Sequence, residues 1–197
     1  MSSTTLSDAD ALRRARAAIE ECGWQAATME RLASALGVSR MTLHRRGVRR
    51  EDVLAALGTL LEDDYRRAVW PALTAPGSGR ERLAIALAGL CDVTEENLTL
   101  LAALDSAERD LIFHEGSSGP QSGGVLTQAV FTEPLQALLR DGANDGTLAP
   151  GDDVEECATV LFNLLAWTYR HLRLAHRWPP ERAAQAVTCR ALQSVSA

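Results

Sequence analysis

The sequence predicts an all-α protein, with a three-helix head at the N-terminus and a larger helical body behind it. Three observations carry this. No segment sustains the period-2 alternation of a strand, apolar residues recur at helical spacing, and helix start and stop signals punctuate most of the chain. The 197 residues are 46% hydrophobic and 23% charged, with 14 Gly and 7 Pro, which excludes collagen-like, low-complexity and wholly disordered classes. A chain of this size buries roughly 70% of its unfolded surface and needs no disulfide staples.

Ser7-Asp8-Ala9-Asp10 resembles a capping box ahead of a helix over 11–21, whose apolar stripe is Leu12, Ala15, Ile19 and Cys22. Gly23 ends it, and Trp24 reads as a core anchor. A short second helix spans 28–36, with Thr28 as N-cap and Gly37 just past its end. Ser39 caps a third, which reaches about Arg46. The fourth spans 51–69 on Leu54, Leu57, Leu61, Tyr65 and Ala68, and Glu51 and Asp52 sit at the positive end of its dipole. Pro71, Pro76, Gly77 and Gly79 are expected to break the chain there. Helical patterns resume over 80–93 and 95–104, and a weaker piece over 106–113 leads into a Gly/Ser-rich loop at 116–124. A helix over 125–140 contains Pro134, where a break or kink is expected, and a second loop covers 142–151. A long helix over 152–177 is separated by Pro179-Pro180 from a final helix that runs to about Gln193.

Charge divides unevenly between head and body. All 20 basic residues are arginine, against 26 acids, for a net charge of −6. Residues 1–50 hold nine Arg and five acids, net +4; residues 51–197 hold eleven Arg and 21 acids, net −10. Between 39 and 50 there are five arginines and no acid. Such a split suggests one region that meets a polyanion. On charge alone, a solvated arginine face accounts for the same numbers.

The head adds geometry to charge. A helix over 28–36, the turn Gly37-Val38-Ser39 and a helix over 39–46 form a helix-turn-helix arrangement. Ala33 is small enough for the two helices to cross closely, and Gly37 suits the left-handed conformation of a sharp turn. Leu32, Val38 and Leu43 are placed to hold the angle. The second helix keeps a polar, basic face of Arg40, Thr42, Arg45 and Arg46, of a size that fits the major groove of B-DNA.

These residues resemble the TetR family of bacterial transcription regulators. The family pattern stands here as Thr28, Leu32-Ala33, Gly37-Val38-Ser39, Thr42-Leu43-His44, Arg46-Gly47 and Arg50-Glu51, followed by Val53-Leu54, without a gap over 28–54. Two positions depart: His44 replaces a Tyr, and Gly47 replaces a Phe that would pin the third helix to the fourth. Met41 stands where the family usually carries a small residue.

The resemblance implies a DNA-binding domain over 1–50 and a ligand-sensing and dimerisation domain over 51–197. It makes His44, Arg46 and Arg50 phosphate contacts, while Thr28 and Ser39 would meet phosphates at their helix starts. Arg40, Met41, Thr42 and Arg45 are the candidates for base readout, although Thr28, Ser39 and Thr42 also serve as caps or local bonds.

It further implies a homodimer formed through the last two helices. In partial support, the 152–177 helix carries apolar residues on more than one face, and the last helix offers small residues for close approach. An effector pocket would fall among the fourth helix and its successors. Its candidates are Tyr65, Trp70, Leu87, Cys91, Phe131, Phe162 and Trp167, each of which could equally be plain core.

Other functions lack their residues. There is no GxSxG, HExxH, Walker loop or GxGxxG, and Cys22, Cys91, Cys157 and Cys189 form no CxxC pair. His171 and His176 are five apart, a poor spacing for one helical metal site. Asp110 and His114 could face one another, but a solvated pair explains them better. Glu95-Glu96 and Asp152-Asp153 read as acids at helix starts. The longest apolar stretch, over 158–169, is too short to span a bilayer, and no signal peptide is visible.

The expectation is therefore a cytoplasmic, non-enzymatic regulator without cofactor or metal. It would act as a ligand-responsive repressor, bound as a dimer to a near-palindromic double-stranded DNA operator. The competing class is a TetR-like protein that has lost operator recognition and serves as a protein-interaction module.

Overall fold

The computed structural model describes residues 6–107 and 128–197. The loop expected over 116–124, the Asp110–His114 pair and most of the piece expected over 106–113 lie outside these. The described residues form nine α-helices and no strand, as the sequence predicts. They divide into two compact units, Met1–Glu62 with Asn97–Leu126, and Asp63–Glu96 with Thr127–Ala197.

The first unit opens with α1 (Ala9–Cys22), capped by Asp8, whose carboxylate accepts from the N–H groups of Asp10 and Ala11 at 3.0 and 3.4 Å. Ala11, Leu12, Ala15 and Ile19 form its buried stripe. A short 3-10 turn (Trp24–Ala26) leads to α2 (Met29–Ala35), capped by Thr28, and α3 (Arg40–Arg45), capped by Ser39. The unit also contains the first half of α4 (Arg50–Thr74) and α6 (Leu98–Ala107), which packs on α1 and on the 3-10 turn. Arg16 of α1 donates to the side-chain carbonyl of the fully buried Asn97 at 3.1 Å, just ahead of α6. Asn97 thus marks the junction between α5 and α6, later than the sequence pattern placed it.

In the second unit, α5 (Gly79–Glu96), α7 (Gln128–Asn144), α8 (Val154–Leu174) and α9 (Pro180–Ser194) pack around Leu83, Leu87, Leu90, Leu135, Leu138 and Leu165. Two glycines set how closely the helices approach. A Cβ on Gly79 would lie 2.2 Å from the Gly142 Cα, and one on Gly142 would lie 2.3 Å from a Leu148 methyl.

Two prolines expected to interrupt helices do not. α4 continues past Val69 and through Pro71 to Thr74. Arg82 donates to the carbonyls of Ala72 and Leu73 at 3.0 and 2.8 Å, satisfying acceptors that a helix end leaves open. α7 runs through Pro134, and its last turns carry it into the expected loop as far as Asn144. An interior proline costs a helix about 3 kcal/mol. Burial of each large apolar side chain returns about 1.5–3 kcal/mol, and Phe131, Leu135, Leu138 and Leu139 are all buried on α7.

Candidate nucleic-acid interface

The helix-turn-helix is built from two helices that end alike. Past α2, the Gly37 N–H bonds to the Ser34 carbonyl at 3.0 Å and the Val38 N–H to the Ala33 carbonyl at 2.9 Å. Past α3, the Gly47 N–H bonds to His44 and the Val48 N–H to Leu43, both at 3.0 Å. This is the Schellman closure, and it needs a residue with positive φ; Gly37 has φ 75° and Gly47 φ 69°. Gly47 therefore has a structural task of its own beside the loss of an aromatic anchor. The signal was visible, since Gly47-Val48 repeats Gly37-Val38 ten residues on.

Inside the angle, Leu32, Ala33 and Leu43 are fully buried and Val38 half-buried. Outside it, Arg40, Met41, His44, Arg45 and Arg46 are exposed, Met41 at 73%. Neither Arg40 nor Arg45 pairs with an acid among the described residues, whereas Arg49 lies 3.6 Å from Asp52. Thr28 and Ser39 act as caps: the Thr28 hydroxyl accepts from the Arg31 N–H at 3.3 Å and Ser39 from the Thr42 N–H at 3.1 Å. The Thr42 hydroxyl lies 2.8 Å from the Ser39 hydroxyl, which draws it into the cap.

Arg50 is placed differently from the others. Its guanidinium carbon lies 3.7 Å from the ring centroid of Trp24, and Arg50 is half-buried. Trp24 is accordingly not the core anchor expected; it is half-buried and carries a cation on its face. Sequence reasoning missed this pair, which are 26 residues apart with no periodicity to link them.

The fold matches that of solved regulators over most of the chain. A TetR-family transcriptional regulator, PfmR from Thermus thermophilus, shares 24% identity with a TM-score of 0.65 over 93% of this chain and 97% of its own. The chain has the TetR-regulator fold. A tetR-family regulatory protein from Rhodococcus RHA1 matches with a TM-score of 0.71 at 20% identity, over 94% of this chain and 97% of its own. AibR, solved with isovaleryl coenzyme A and operator DNA, matches with a TM-score of 0.62 at 16% identity over 90% and 94%. No protein-family model matches the chain, and no curated protein does. These TetR-fold neighbours are regulators rather than enzymes.

The pocket candidates separate into two groups. Tyr65, Phe131 and Phe162 form a buried aromatic cluster, with Phe131 at 4.9 Å from each of the other two centroids, and Leu87 and Cys91 are also buried. The Thr94 hydroxyl donates to the Leu90 carbonyl at 2.6 Å, so the Tyr65 hydroxyl is the donor in its 2.9 Å bond to Thr94. Burial raises the Tyr65 pKa and pushes the Cys91 thiol up to about 11, so Cys91 remains a thiol at neutral pH.

Trp70 and Trp167 are exposed, at 65% and 42%, and do not join this cluster. Aromatic identity alone did not distinguish a core ring from a surface one. A separate cleft between α4 and α5 is lined by Asp64, Arg67, Gly89, Asp92 and Glu96, and its charged walls differ from those of the aromatic cluster.

The two acid pairs expected at helix starts also separate. Asp153 does cap α8, accepting from Glu155 and Glu156 at 3.0 and 2.9 Å. Glu95, however, lies in the last turn of α5, where Arg173 of α8 grips it by two bonds of 2.7 and 2.6 Å and Tyr169 donates at 2.9 Å. The Arg173 bonds hold the Glu95 pKa below its ordinary value. A depressed folded value means stability that is present above about pH 4.3 and lost as pH falls through the folded pKa. Glu95→Gln is expected to lower Tm at pH 7 and to flatten its decline between about pH 5 and 3. A variant whose Tm falls as steeply as the parent would remove this pair from the acid response.

His171 and His176 also come together, with ring centroids 5.0 Å apart, because α8 stops at Leu174 and the His176 N–H folds back onto the His171 carbonyl at 3.3 Å. No group of three or more metal-binding side chains occurs among the described residues, and no described helix is long and apolar enough to cross a membrane.

Proposed function

We propose that this protein is a ligand-responsive transcription regulator, acting as a repressor, whose α3 enters the major groove of a near-palindromic operator. The observation that carries the reading is the outer face of α3, where Arg40 and Arg45 stand exposed without an acid partner among the described residues, on a helix held by a buried inner face. Arg40, Met41 and Arg45 would read base edges, and Thr42 would do so beside the Ser39 cap. Arg46, Arg50 and His44 would hold phosphates, together with the capped helix starts at Thr28 and Ser39. Gly47 ends α3 in a conformation that glycine favours, which leaves the interaction-module alternative without an observation of its own.

Such a surface binds with a steep salt dependence, because each neutralised phosphate releases counterions. Anisotropy of a mixed-sequence duplex of about 30 bp is expected to show a linear fall of log affinity with log salt. Absence of binding at low salt would overturn the reading.

The second unit would supply dimerisation and sensing. Val160, Trp167 and Leu174 are exposed at intervals of seven along α8, on the face away from its buried one, and Arg170 stacks on the Trp167 ring. A second copy would cover this face, and two heads would then meet successive major-groove turns roughly 34–36 Å apart. The parent is expected to sediment as two chains and Trp167→Glu as one. A monomeric parent, or an unaltered dimer in the variant, would contradict this.

An effector in the region of Tyr65, Leu87, Cys91, Phe131 and Phe162 would favour a state with the heads out of register, a population shift. AibR, solved in complex with isovaleryl coenzyme A and operator DNA, shows a small molecule and an operator both bound by one protein of this fold.

A further inference from the structure

The Trp24–Arg50 pair has a feature that packing alone does not explain. Nε and Nη2 of Arg50 are buried without a hydrogen-bond partner. A guanidinium stays charged at any accessible pH, so these donors cannot be relieved by losing a proton. What faces them is the indole of Trp24 at 3.7 Å, close enough for attraction between cation and ring. Nη1 lies outside the buried, partnerless set and is the nitrogen left for an acceptor beyond the protein.

The backbone that carries the indole is closed by hydrogen bonds. Gly23, at φ 73°, turns the chain out of α1, and the 3-10 turn is closed by bonds from Ala26 to Gly23 and from Ala27 to Trp24, both 3.2 Å. Arg50 is the first residue of α4, four residues beyond the C-cap of α3 at Arg46. The stacked guanidinium therefore stands beside the helix-turn-helix, in the same compact unit.

We propose that Trp24 is a positioning residue for DNA phosphate binding: its ring face fixes the Arg50 guanidinium so that the Nη1 edge is presented, already ordered, to one backbone phosphate. The proposal rests on the DNA-binding reading. A free arginine must give up much of its rotamer freedom to make such a contact; a stacked one has already done so.

The test uses the full-length protein and a mixed-sequence duplex of about 30 bp, titrated with salt. Arg50→Ala is expected to make the log–log slope shallower by about 0.9, the loss of one phosphate contact. Trp24→Leu leaves every charge in place, yet is expected to lose the same slope and affinity, with no further loss in the double variant. Trp24→Phe, which keeps a ring, is expected to restore both. A Trp24→Leu protein with the parental slope would overturn the proposal, because a merely structural tryptophan changes Tm and not ion release.

A second measurement leaves Trp24 unaltered. The Arg50 Nε–Hε NMR signal, assigned by its loss in Arg50→Lys, is expected in both free and duplex-bound protein upfield of the arginines that stack on no ring, through the ring current of the indole, as for Arg182 over Trp178. An unshifted signal in the bound state would also overturn the proposal. Failure of the parent to bind any duplex would instead overturn the DNA-binding reading, while the shift in the free protein would still report the stack.

Discussion

Leu43→Ala is expected to destabilise the head by about 2–5 kcal/mol, the range for truncating a fully buried leucine. Leu43 has no exposed surface and lies at the inside of the helix-turn-helix angle, where its carbonyl accepts from Val48 and Arg46 at 3.0 Å each. The lost methyl groups would leave a cavity between short helices of seven and six residues, which have little packing of their own to absorb it. For a chain of this length, each kcal/mol corresponds to roughly 2–4 °C in the melting temperature. Calorimetry should therefore show a large downward shift, with DNA binding lost as the head melts. The dimer proposed to form through α8, in the other unit, should keep its mass. An unchanged melting profile would mean that Leu43 does not hold the angle between α2 and α3.

Arg45→Ala is expected to weaken binding to a selected operator by about 1–3 kcal/mol, roughly five- to 150-fold, and to relax preference at one base position. Arg45 is exposed at the end of α3 and has no acid partner among the described residues, so its removal disturbs no ion pair there. Salt titration identifies the kind of contact. A base-reading arginine loses discrimination with little change in slope, whereas a phosphate-binding one weakens all sequences alike and lowers the slope by about 1. Unchanged affinity and base preference would remove Arg45 from the interface.

The parts of the molecule governed by local chemistry could be read from the chain. Thr28 and Ser39 cap the helices that follow them, and Gly37 supplies the positive φ of the turn. The excess of apolar positions on α8 announced apolar residues beyond its buried face, and Val160, Trp167 and Leu174 are exposed there. What could not be read depends on partners distant in sequence. α4 outlasts Pro71 where Arg82 satisfies its last carbonyls, and α5 extends to Glu96 where Arg173 grips Glu95. In the sequence Trp24 reads as core, because a large apolar ring is highly buried on average. Its cation comes from the start of α4, and no local pattern announces that stack.

If α3 reads DNA sequence as part of a dimer, the protein must select its sites from a random pool. Selection and sequencing of random duplexes bound by the purified protein tests this most directly. Enrichment of a near-palindrome is expected, with half-sites centred about 10 bp, or a multiple of that, apart. A folded, dimeric protein that enriches no sequence would contradict the reading.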